Sequence, residues 1–158
     1  MIATNHNMSP NGTAFIYNAE APEPTARYAH ARVAPASAHQ TIYISGIACV
    51  QPDGTYAGVT EKADGTYELD VRAQTAAVLS RIEDIIKQAS GGKGGLENAI
   101  DSVVYLTDMK SQYAGMNEEW NKVFKTRASA PARATIGVSE LPDPRFIVEI
   151  KMTAVVEM

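Results

Sequence analysis

Apolar positions recur along this chain with two periods, and the changes from one to the other mark out its elements. After Asp70, a residue suited to an N-cap, Val71, Thr75, Val78, Ile82, Ile85 and Ala89 repeat at steps of three and four. Arg72, Arg81, Glu83, Asp84 and Lys87 take the other side, so the spacing predicts an amphipathic helix. The run Ser90-Gly91-Gly92-Lys93-Gly94-Gly95 stops it, because glycine enters the left-handed conformation that ends helices. Residues 100–107 read as a strand, and Ser111 as the cap of a second helix with Tyr113, Met116, Trp120, Val123 and Phe124 on one stripe. Upstream, 32–35 and 41–48 are β-branched and aromatic and predict a hairpin. Asp53-Gly54 and Asp64-Gly65 mark turns in a long excursion with short segments at 55–61 and 66–69.

The C-terminal quarter follows a period of two. In 131–138, Arg133, Thr135 and Gly137 share one face, and Ala134, Ile136 and Val138 the other. Further on, Val148, Ile150, Met152, Ala154 and Val156 form an apolar face, while Ile147, Glu149, Lys151 and Thr153 lie opposite. If 139–145 folds these strands into an antiparallel pair, Glu149 falls close to Thr135 and diagonal to Arg133. The order β-β-α-β-α-β-β predicts an α+β fold with two helices covering one face of a mixed sheet. The other face, with Arg133, Thr135, Glu149, Lys151 and Thr153 among Ile147 and Val155, is too apolar for water and too polar for a dry core. A homo-oligomer with a site in the seam is the expectation.

The 158 residues suit one domain, at 26–158, preceded by an uncharged, aperiodic N-terminal arm over 1–25 with a short strand at 14–17. That arm is expected to be structurally optional. A net charge of −4 without a Lys or Arg run speaks against nucleic acid as a partner. The single cysteine, Cys49, allows no internal disulfide, and no apolar run reaches the length of a membrane span. These features describe a soluble cytoplasmic protein with no membrane partner. His6, His30, His39 and Cys49 lack metal-ligand spacing, so no metal is expected, and the glycine run lacks the ending of a phosphate-binding loop.

Arg133 and Glu149 are the chemistry-bearing pair. A guanidinium is planar and permanently charged and holds a carboxylate with two parallel hydrogen bonds. A glutamate beside it can move a proton to or from water or a leaving amine.

Pro-Ala-Arg-Ala-Thr-Ile-Gly-Val-Ser-Glu-Leu from Pro131, followed by Val148-Glu149-Ile150, resembles the signature of the reactive intermediate deaminase (Rid) family over roughly residues 28–156. The resemblance implies a chorismate-mutase-like homotrimer with sites in clefts between subunits, and cofactor-free hydrolysis of enamines and imines of small carboxylates. By it Arg133 binds the substrate carboxylate and Glu149 positions water or donates a proton. Tyr28, Ser45 and Asn117 fall at family site positions, and Thr135 stands where many members carry cysteine. Tyr28-Ala29-His30-Ala31-Arg32, the segment from Pro52 and Leu-Pro-Asp-Pro-Arg-Phe look closest to the 2-aminomuconate deaminase branch, whose substrate is an unsaturated amino diacid. His30, Arg32 and Lys151 are candidates for its second carboxylate. The alternatives are a broad 2-aminoacrylate-type deaminase or biosynthetic enzyme, an endoribonuclease or translation inhibitor, and a non-catalytic ligand-binding trimer.

Overall fold

The computed structural model describes residues 9–18, 20, 22 and 24–158. Within them the strands are β1 (Thr13–Phe15), β2 (Ala31–Val33), β3 (His39–Ile47), β4 (Val59–Glu61), β5 (Tyr67–Leu69), β6 (Ala99–Leu106), β7 (Ala132–Gly137) and β8 (Val148–Glu157). Helix α1 spans Val71–Ala89 and α2 spans Met109–Val123. The central sheet runs β3-β8-β6-β7, antiparallel except for the parallel pair β6/β7. Both helices pack on one face, as the element order predicts for this α+β fold.

Local chemistry explains the elements. The Asp70 side chain accepts from the backbone N–H groups of Arg72 and Ala73, and α1 stops at Ser90, after which Gly91 and Gly92 take positive φ. Its buried face is Val71, Gln74, Thr75, Val78, Leu79, Ile82 and Ile86; Ile85 packs against the core from a half-buried position, while Ala89 is exposed. The cap of α2 is Asp108, three residues before the expected Ser111. Asp108 accepts from the Lys110 N–H, and the Ser111 hydroxyl donates to that same carboxylate at 2.6 Å. Met116, Trp120 and Phe124 are buried, but Tyr113 and Val123 remain over a third exposed.

The strand pairing differs from both hairpins that the sequence suggested. Strand β2 pairs with β1, whereas β3 pairs with β8, so 32–35 and 41–48 are not partners. Strands β7 and β8 are not neighbours either, because β6 lies between them. Register then fixes the faces, since opposed residues point the same way. Ser102, Val104 and Leu106 lie opposite Met152, Ile150 and Val148 on one side and Arg133, Thr135 and Gly137 on the other, all toward the helices. Tyr105 lies opposite Glu149 and Ile136 on the open face. Arg133 and Thr135 therefore belong to the helix face and Glu149 to the open one. The shared face expected from the sequence is corrected accordingly.

Residues near the start of the described chain are bound in tightly. Asn11 is fully buried and donates to the carbonyls of Ala99 (2.6 Å) and Ser129 (3.1 Å) while accepting from Arg32 Nη1 at 2.6 Å. Arg32 also donates to the carbonyls of Gly12, Ala128 and Ala130. Desolvation pushes its pKa down to about 10. The part of the arm around Asn11 is thus a structural tie. The short strand expected at 14–17 appears as β1, and His6 lies outside the described residues.

Candidate active site

The sequence-selected residues collect into two clusters on opposite faces of the sheet. The first surrounds Arg133, near the start of the edge strand β7. Its Nη2 donates to Asn117 Oδ1 at 2.8 Å, its Nη1 approaches the Met116 sulfur at 3.9 Å, and the guanidinium carbon sits 4.6 Å from the Trp120 ring centroid. All three partners come from one stripe of α2. Tyr28 arrives from outside the sheet, because Ala29 bridges Ala132 in parallel and hydrogen-bonds the Pro131 carbonyl, which puts the Tyr28 ring 6.0 Å from the guanidinium. Burial lowers the Arg133 pKa, while the Tyr113 and Tyr28 hydroxyls favour the charged form. An arginine so placed stays a cation, weakly hydrated and held between aromatic faces.

Asn117 spends its amide on this arrangement. Its Nδ2 donates to the Tyr113 carbonyl at 2.9 Å, and its Oδ1 orients Arg133. Thr135, two residues along β7, shares the Arg133 face. Trp120, read from the sequence only as core, also forms the floor under the guanidinium and is fixed by its Nε1–H bond to the Arg27 carbonyl at 2.8 Å. The 113/116/117/120 spacing on α2 is the signal that links these residues.

The second cluster centres on Glu149, on the open face. Its carboxylate lies over Gly46, where a Cβ would come within 2.2 Å of Oε1. Ser45 and Gly46 occupy the register shift between Ile44 and Ile47, a bulge in β3 of the kind that re-aims a strand beside a site. Ser45 thus precedes the glycine that Glu149 covers, on a strand that is not a neighbour of the one carrying Arg133. Around this cluster the open face is unclad in the single chain, with Tyr43 80% and Ile136 44% exposed.

Of the cations considered for a second carboxylate, Arg32 is consumed by its structural bonds, and His30 accepts from the Tyr17 N–H at 3.2 Å and packs edge-on to Tyr28. Arg145, which the sequence reading passed over, is instead held in the loop before β8. It makes a bidentate pair with Asp143 at 2.8 and 2.5 Å and lies 3.7 Å over the Tyr56 ring. The guanidinium holds the Asp143 pKa down at about 2.

The family model described as Endoribonuclease L-PSP matches residues 18–156. The chain belongs to this family. A protein of the RutC family from Sulfurisphaera tokodaii is 27% identical over 132 residues, covering 84% of this chain and 90% of that one. Among solved structures, the Rid-family protein YyfB of Yersinia pestis superposes with a TM-score of 0.69 at 21% identity, covering 89% of this chain and 97% of its own. Yeast Mmf1 superposes at 0.60 and 24% identity, covering 92% and 94%. At these identities the two structures speak to the fold alone. No helix among the described residues is long and apolar enough to cross a membrane.

Proposed function

We propose that the protein is a hydrolytic deaminase of an enamine or imine amino acid, acting without a cofactor at a site assembled from two protomers of a homotrimer. The observation that carries this reading is the division of the candidate residues between faces. Arg133 with Asn117, Trp120 and Tyr28 forms an anion-gripping half, and Glu149 with Ser45 and Gly46 forms a proton-transferring half. One sheet cannot present both to one small ligand. Docking the exposed open face of one protomer against the β7 edge of the next closes the gap and covers Tyr43 and Ile136.

In the joined site Arg133 takes the substrate carboxylate and leaves the adjacent C=C–N group facing the neighbouring protomer's glutamic acid. Glu149 gives its proton to the enamine carbon, producing an electrophilic iminium. Water adds to the nitrogen-bearing carbon and gives up a proton to the carboxylate, leaving a carbinolamine; its C–N bond then breaks as the hydroxyl proton passes to nitrogen, releasing ammonia and the ketone. The preferred substrate is 2-aminomuconate or a similar unsaturated amino diacid, supported by the sequence segments that resemble that branch. The family description also names endoribonuclease activity, but a chain of net charge −4 offers little to phosphates.

Decay of freshly generated 2-aminomuconate and 2-aminoacrylate tests the chemistry. Glu149→Gln should slow it by roughly 100- to 10,000-fold, the span of a lost general acid. Arg133→Ala should be similarly poor. Mixed trimers from equal amounts of the two variants should regain about one quarter of wild-type sites, since a site with both side chains intact then forms by chance. No recovery in verified mixed trimers would refute the shared site, and equal rates for wild type and Arg133→Ala would refute the clamp.

A further inference from the structure

Arg145 is built more rigidly than a loop arginine needs to be. Asp143 binds Nε and Nη2 together, Tyr56 lies under the plane, and the Tyr56 hydroxyl meets Nη2 at 2.9 Å. Gln74, buried on α1, ties the same loop by donating to the Arg145 carbonyl and accepting from the Ile147 N–H. Among the described residues, no hydrogen-bond partner engages Nη1, although the side chain is only 28% exposed. A guanidinium fixed along one edge and open along the other is pre-organised to receive a second anion.

Its position points to the half-site of Glu149. Three residues lie between them, so their Cα atoms are at most about 14 Å apart. Both lie beside the same piece of chain. The Glu149 carboxylate covers Gly46, and Arg145 stacks on Tyr56, which bridges Val50, while the Ala57 N–H bonds the Cys49 carbonyl. Lys151 lies on the open face opposite Val103, and among the described residues its side chain has no comparable brace.

We infer that Arg145 is a specificity-determining residue that binds the distal carboxylate of a dicarboxylic substrate, its Nη1 edge facing the site while Asp143 and Tyr56 hold the other. The inference rests on the deaminase reading for the identity of the site, but it can be read by binding alone. The probes are cis,cis-muconate and sorbate, an unreactive six-carbon diacid and monoacid, titrated calorimetrically into the full-length wild type.

Wild type should favour the diacid at least 10-fold, the scale of one charge-assisted pair. Arg145→Gln should erase that preference and leave sorbate affinity within 3-fold. Asp143→Asn should keep most of it, because a residue that merely staples the loop and its partner would behave alike. Arg145→Lys serves if Arg145→Gln does not fold, and should cut the preference several-fold because an ammonium cannot fork. Equal binding of both acids by wild type, equal losses in Arg145→Gln and Asp143→Asn, an unchanged preference in Arg145→Lys, or loss of preference in Lys151→Gln would each overturn the inference. Absence of turnover with an Arg145-dependent preference intact would sink the deaminase reading and leave this one standing.

Discussion

Gly46→Ala separates the position of the Glu149 carboxylate from the stability of the fold. A methyl group at residue 46 would sit 2.2 Å from Oε1 and 2.7 Å from Cδ, so the carboxylate must retreat by roughly 1.2 Å to reach ordinary contact at 3.4 Å. The obstacle is the end of a flexible side chain, and Gly46 is not among the glycines with positive φ, so the backbone carries no penalty. The loss of unfolded-state freedom would by itself stabilise the protein by about 0.4–1 kcal/mol. Stability should stay within about 1 kcal/mol of wild type, a Tm change of no more than about 2–4 °C. Catalysis should suffer far more, because a displacement of about 1 Å costs on the order of 100-fold. The assay is spectrophotometric decay of 2-aminoacrylate or 2-aminomuconate, beside a thermal melt. A rate within 3-fold of wild type at unchanged Tm would refute the argument that Glu149 works from its place over Gly46.

Two further outcomes follow from other contacts. Asn117→Ala removes the acceptor that orients Arg133, so KM should rise roughly 10- to 100-fold, as expected for a lost hydrogen bond to a charged group, with a smaller change in kcat; steady-state kinetics read the split. Asn11→Ala leaves buried partners unmatched and should cost about 2–3 kcal/mol, lowering Tm by roughly 4–12 °C by calorimetry, and a loss below 2 °C would contradict the buried tie.

What could be read in the sequence was what local periodicity encodes. The span and caps of α1 follow from three- and four-residue steps and from Asp70 and the glycines, all of which act within a few residues. Alternation also sorted β7 into its two faces, with Arg133, Thr135 and Gly137 together. It could not say which face meets the helices, because that depends on the pairing of β7 with β6, where Arg133 lies opposite Ser102. Residues 139–145 looked like a hairpin turn, yet β8 pairs with β6 and β3, and this one change of partner sends Glu149 to the far side. Trp120 and Gly46 were overlooked for a similar reason. One was an ordinary apolar step on a helix and the other an ordinary glycine, until the fold set a guanidinium above the first and a carboxylate above the second. Arg145 sat in a proline-rich loop with no periodicity to single it out.

Arg32 clasps Asn11 and Gly12 on one side and the carbonyls of Ala128 and Ala130 on the other, and two residues beyond Ala130 the chain enters β7. The entrance of the strand that carries Arg133 is therefore moored to Asn11 and Gly12. Proteolytic nicking ahead of Thr13, or a bulky fusion joined there, would slacken the grip on substrate without altering a single group around it.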